Sequence, residues 1–134
     1  MDAQRLEKMK VWVVQKVRFW ALIVDGDSEV GNFLLELAQE NPKALLDWLR
    51  ELDVIGQKDH FVGQKLFRKM RGWPGQWEVR RGDHRLMGFR VGDEVILCLH
   101  RIKHSDRADP GDLARIDRFA KEWNQQLGQA MESR

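Results

Sequence analysis

The stretch QWEVRRGDHRLMGFRVGDEVILCLHRI, from Gln76 to Ile102, decides the fold. It divides into three runs, Gln76 to Arg81, His84 to Arg90 and Glu94 to Ile102, parted by Gly82-Asp83 and Gly92-Asp93. A Gly-Asp pair between strand-like runs signals a tight hairpin, because glycine reaches the positive φ such turns demand. Two hairpins in succession make an antiparallel meander. In the first run Trp77 and Val79 alternate with Glu78 and Arg80, so the period of two sends Arg80 away from the buried side. In the third run every position from Val95 to Leu99 is apolar, which reads as a strand covered on both faces.

Working outward towards the N-terminus, Trp12 to Val24 is rich in β-branched and aromatic residues and stops at Asp25-Gly26-Asp27. It reads as a strand ending near Val24. Residues before about Lys10 read as a frayed arm or a short helix. Ser28 or Asp27 can cap a helix whose apolar face is Val30, Phe33, Leu34, Leu37 and Ala38. Asn41-Pro42 restarts the chain as N-cap and first helical position. Leu45, Trp48, Leu49 and Leu52 then repeat the helical spacing up to a stop at Gly56. Gln57 to Gly75 has no clear period and reads as a loop or short helical turn. Beyond the meander, Asp109-Pro110 opens a last helix with a stripe of Leu113, Ile116, Ala120, Trp123 and Leu127. The expected fold is α/β (α+β): N-terminal strand, helical hairpin, three-stranded antiparallel meander and C-terminal helix, in one domain over residues 1–134.

A chain of 134 residues that is 43% hydrophobic can bury a core without staples. Cys98 is its one cysteine, so no intrachain disulfide forms; inside an apolar run it reads as a small buried hydrophobe. The longest apolar run, Phe19 to Val24, falls far short of the ~20 residues that span a bilayer. The first residues are charged and lack a signal-peptide core. The expectation is a cytoplasmic protein with no membrane contact.

Several enzyme classes lack their signatures. No Gly-rich phosphate loop, dinucleotide fingerprint, nucleophile elbow or H-E-x-x-H pair is present. His100 and His104 straddle a strand end and not a helix face, so no metal site and no cofactor is expected. The charge distribution is more informative. Net charge is +2, yet Lys58 to Arg107 holds 12 basic against 6 acidic residues and all four histidines. Such a segment suits a polyanion, although a solvated surface explains the composition equally well.

The meander gathers Arg80, Arg81, His84, Arg85, Arg101, Lys103 and His104, with Lys65, Lys69 and Arg71 just upstream. Guanidinium groups grip phosphate oxygens in pairs and stay charged. They can stabilise the extra charge of a pentavalent transition state, while a histidine moves the proton for 2′-hydroxyl attack. Plainer roles stand beside these. Arg80 can pair with Glu78 or Asp83 at the surface, His84 can be a turn residue, and His100 reads better as a core histidine. Trp48, Trp77 and Trp123 keep core spacing, and Trp73 is the best candidate for an exposed aromatic.

Three stretches carry a further pattern. Lys65-Leu66-Phe67-Arg68-Lys69-Met70-Arg71-Gly72 is a basic segment before the sheet. Trp77-Glu78-Val79-Arg80 is followed after a turn by His84-Arg85-Leu86. His100-Arg101-Ile102-Lys103-His104 precedes the helix opened by Pro110. Together, over roughly Arg18 to Trp123, they resemble the RelE/ParE toxin superfamily, and most closely its phage-derived HigB-like branch. The resemblance implies the toxin of a type II toxin-antitoxin pair, a metal-independent, ribosome-dependent mRNA endonuclease. Its partners would be mRNA, the ribosome and a cognate antitoxin, a small helix-turn-helix protein. Arg80 and Arg85 would belong to the active surface, with Lys65 and Lys69 as RNA contacts; the charge and proton-transfer reading of the meander adds His84 and His104 to the catalytic set and Arg71, Arg81, Arg101 and Lys103 to the RNA contacts. The chain departs from the family where His84 replaces a tyrosine and where His104-Ser105 replaces a Lys-Lys pair. Those departures leave an alternative, a non-catalytic relative that inhibits gyrase or binds an antitoxin.

Overall fold

The computed structural model describes residues 4–12, 17–58, 67–103 and 108–132. The elements are β1 (Leu6–Trp12), β2 (Arg18–Val24), α1 (Glu29–Glu40), α2 (Pro42–Lys58), β3 (Phe67–Lys69), β4 (Gln76–Arg81), β5 (His84–Val91), β6 (Glu94–Ile102) and α3 (Pro110–Glu132). The helix starts follow from their caps. Ser28 Oγ accepts from Gly31 N at 3.0 Å, Asn41 Oδ1 from Ala44 N at 3.2 Å, and Asp109 Oδ1 from Gly111 N at 2.7 Å. The second helix runs past Gly56 to Lys58, and the Gly56 carbonyl instead accepts from Val17 N at 3.0 Å.

One six-stranded mixed sheet has the order β1-β2-β6-β5-β4-β3. β2 lies parallel to β6 and the other pairings are antiparallel. The fold is thus α+β, with the helical hairpin, meander and last helix in the expected order. The strand count is larger than the sequence reading. Residues before Lys10, read as a frayed arm or short helix, belong to β1, which pairs with β2 from Leu6↔Val24 onward. Phe67–Lys69, read as loop or helical turn, is an edge strand registered on β4. Neither strand is visible to local periodicity, because each is fixed by pairing with the next strand, β1 on β2 and β3 on β4.

Helices cover both faces of the sheet. On one face Val30 and Phe33 of α1 and Trp48, Leu52 and Ile55 of α2 pack on Phe19, Ala21, Val79, Leu86, Val95 and Leu97. On the other, Leu113, Ile116 and Phe119 of α3 pack on Leu22, Met87, Phe89, Ile96 and Leu99. β6 therefore feeds both cores, which is why its run is apolar at every position. Cys98 is buried there with its thiol pKa pushed up by burial. A bulge between Met87 and Gly88 turns on Gly88, where a Cβ would overlap the backbone carbonyl of Ile96. The β4–β5 turn has Gly82 at φ +58 as the first of its two loop residues, which fits a type II′ hairpin. Among the described residues no helix is long and apolar enough to cross a membrane.

Candidate functional site

The register of the meander decides which charged side chains share a face. Arg80 pairs with Arg85 and Arg85 with Arg101, so one cross-strand row carries three guanidiniums. Val79 and Leu86 point to the α1–α2 side, so alternation sends Glu78, Arg80 and Arg85 to the α3 side. On β3, Phe67 joins the hairpin core and Arg68 takes the α3 side, opposite Glu78 in register.

These side chains meet at one carboxylate oxygen. Glu78 Oε1 lies 3.2 Å from Arg85 Nε, 3.4 Å from Arg80 Nε and 3.8 Å from Arg68 Nη2. Among the described residues that buried oxygen accepts no hydrogen bond of good geometry, so charge holds it. Exposure grades outward: the side chains of Glu78 and Arg85 are 3% and 5% exposed, those of Arg80 and Arg68 18% and 26%. Arg85 Nη1 also donates to the carbonyls of Gly82 at 2.7 Å and His84 at 3.0 Å, which fixes its head against the turn. The four named side chains carry a formal charge of +2. That is an arginine floor and rim suited to a phosphate, which planar guanidiniums bind in pairs.

Arg101 ends the row and serves another purpose. It grips Asp112 of α3 with two bonds of 3.0 Å and Glu29 of α1 with one of 3.0 Å. Glu29 also accepts from His100 N at 2.8 Å, closing the edge of β6 where β2 no longer pairs. Arg101 therefore ties both helix starts to the sheet. Lys103 continues from it, its backbone N donating to Asp83 O at 2.7 Å.

His84 sits one residue from Arg85 and hence on the opposite face. Its Nδ1 is 2.9 Å from Nε2 of His100, and both rings stack on Phe33, at centroid distances of 5.5 Å and 3.7 Å. Burial first, then the neighbouring His84 and Arg101, lower the His100 pKa from 6.5 to about 4 against the pull of Glu29. His100 is thus neutral at physiological pH, and the pair is a packed, hydrogen-bonded element of the hairpin core. Arg81 also faces α2, where Asp47 lies 3.2 Å and Glu51 3.9 Å away. Burial raises the Glu51 pKa to about 7, partly countered by Arg81.

Of the residues singled out in the sequence, Arg80 and Arg85 come together and Arg101 flanks them. His84, Arg81 and Lys69 lie on the hairpin side, where Lys69 Nζ stands 5.8 Å over the Trp77 ring. Arg71 is exposed in the turn after β3. Lys65 and His104 lie outside the described residues. Trp73, the candidate exposed aromatic, is half-buried against the α3-side core. Sequence reasoning missed Arg68 and undervalued Glu78. The anticipated Arg80–Glu78 pair exists, but its carboxylate is buried. The signal for Glu78 was present in its alternation with Trp77 and Val79; that Arg68 and Arg85 of the neighbouring strands close around it depends on the register, which no local pattern reveals. Among the described residues no three or more His, Cys, Asp or Glu side chains gather where they could hold a metal ion.

No protein-family model, no curated protein and no solved structure matches the chain.

Proposed function

We propose that the chain binds and cleaves RNA as a toxin of the RelE/HigB type, acting on mRNA at the ribosome and restrained by a small helix-turn-helix antitoxin. The observation that carries this reading is the convergence of Arg80, Arg85 and Arg68 on Glu78 along one side of the meander. Two of those arginines are the ones the resemblance puts on the active surface. In this reading the guanidiniums seat the scissile phosphate and stabilise the charge that develops as a 2′-hydroxyl attacks it. Charge stabilisation of that kind needs no metal. The element order of helical hairpin, meander and last helix supports the same reading. Tightly induced expression in a bacterial host tests it, with growth and mapped mRNA 5′ ends recorded for wild type and Arg80→Ala. Growth arrest with new cleavage sites in translated messages, both absent in the variant, is the expected result. Normal growth with intact messages for the wild type contradicts it.

One observation favours a second reading. Among the described residues the arginine side holds no histidine, since His84 and His100 are packed under Phe33 on the other face. A relative that keeps the anion seat without a proton carrier would act by binding, as a gyrase inhibitor or an antitoxin-binding protein. A supercoiling assay separates the two: gyrase inhibition without RNA cleavage selects the binder.

A further inference from the structure

The geometry points to Glu78 as the positioning residue of the arginine site, one that never touches the bound phosphate but sets the guanidiniums that do. The identity of the ligand as an RNA phosphodiester rests on the function proposed above; the ordering of the arginines does not. Three long cations rise from three adjacent strands: Arg68 on β3, Arg80 on β4 and Arg85 on β5. Like charges brought this close repel, and each side chain has several rotamers in which to move apart. A single carboxylate oxygen at their common vertex, 3.2 to 3.8 Å from each, offsets that repulsion and selects the rotamers that converge. Because Glu78 is cross-strand partner to both Arg68 and Met87, the sheet itself fixes where that oxygen stands. With 3% of its side chain exposed, it lies beneath the heads it organises. Arg85 is clamped on its Nε edge by Glu78 and through Nη1 by the turn carbonyls of Gly82 and His84. Arg80 and Arg68 form the more exposed rim. Arg68, a residue outside the resemblance's active surface, thereby becomes the third cation of the seat.

Charge and shape separate cleanly in Glu78→Gln, which keeps the side chain's outline and removes its charge. In the full chain, 15N NMR of arginine Nε–H groups reports their order directly. The expected result is at least a tenfold loss of exchange protection at Arg80 and Arg85 with the backbone amide spectrum unchanged. Cleavage of message on ribosomes is expected to fall at least 30-fold, while affinity for an uncleavable 2′-O-methyl RNA oligonucleotide stays within threefold. That split is one a merely structural role would not give. Unchanged arginine protection in a variant whose backbone amide spectrum is intact overturns the proposal. If wild type binds no RNA but Glu78→Gln still frees the guanidiniums, the RNA reading fails and the positioning role stands. Should Glu78→Gln not fold, Glu78→Asp keeps the charge at a shorter reach; reduced arginine protection supports the proposal and unchanged protection overturns it.

Discussion

The two faces of the sheet, at its β4–β5 turn end, use their polar residues in opposite ways. On the α3 side Arg68, Arg80 and Arg85 surround one buried carboxylate, and charge graded towards solvent is what the arrangement offers. On the hairpin side His84 and His100 share a hydrogen bond, stack on Phe33 and, at neutral pH, leave His100 uncharged. One step along β5, from His84 to Arg85, crosses from one regime to the other. Adjacent residues in sequence therefore say little about shared chemistry in a strand. The cross-strand pairs Arg68–Glu78 and Arg80–Arg85 say much more.

If the hairpin side is packing, its largest effect is on stability. Phe33 is 8% exposed, lies edge-on to Trp48 at 6.1 Å and stacks on His100. Phe33→Ala is expected to lower unfolding free energy by about 3–5 kcal/mol, read by chemical denaturation, with the activity of the folded fraction unchanged. Lost activity at full stability would blur the distinction between the faces.

Arg80→Ala is expected to do the reverse. Its side chain is 18% exposed at the rim, so the fold survives, while cleavage on ribosomes falls by about 10²-fold or more, the usual cost of removing one transition-state donor. A variant that cleaves normally would remove Arg80 from the site.

A smaller pair of effects lies in the pH dependence, and both belong to the hairpin side. His100 falls from its ordinary 6.5 to about 4. The folded state then binds fewer protons than the unfolded chain between those values, so this contribution is complete above pH 6.5 and fades towards pH 4. Glu51 rises from 4.5 to about 7, with Oε2 buried and lacking a hydrogen-bond partner among the described residues. Here the folded state holds the extra proton, so stability declines as pH climbs from 4.5 to 7. The two slopes oppose each other across pH 4.5 to 6.5. His100→Gln should leave a stability that falls with rising pH in that window, and Glu51→Gln one that rises. Each slope amounts to about 1 kcal/mol once solvent screening is allowed for, and thermal melts at pH 4.5, 5.5 and 6.5 resolve it. Parallel profiles for the two variants would show that these groups do not titrate as described.

The parts of this fold legible in the sequence are those with local causes. Ser28, Asn41-Pro42 and Asp109-Pro110 mark helix starts because a cap is a contact within three residues. Gly82 and Gly92 mark hairpins because a turn is fixed by its own φ angles. β1 and β3 escaped because their cause is a cross-strand partner and not a pattern of their own residues. Leu6, Lys8 and Lys10 in β1 carry no clean alternation, and the strand exists through β2. Phe67–Lys69 is three residues long and exists through β4. The site followed the same rule. Alternation along β4 put Glu78 beside Arg80, but what turns a surface pair into an organising carboxylate is the closing of Arg68 of β3 and Arg85 of β5 around it, which only the strand register shows.

The central claim is that the arginine side, and not the histidine side, carries the activity. Message cleavage on translating ribosomes by purified Arg80→Ala and His84→Gln, measured side by side with wild type, tests it most directly. The account predicts cleavage at the wild-type sites and near the wild-type rate for His84→Gln, whose amide can keep the bond to His100, and loss of cleavage for Arg80→Ala. A His84→Gln protein that is folded yet as inactive as Arg80→Ala would contradict it.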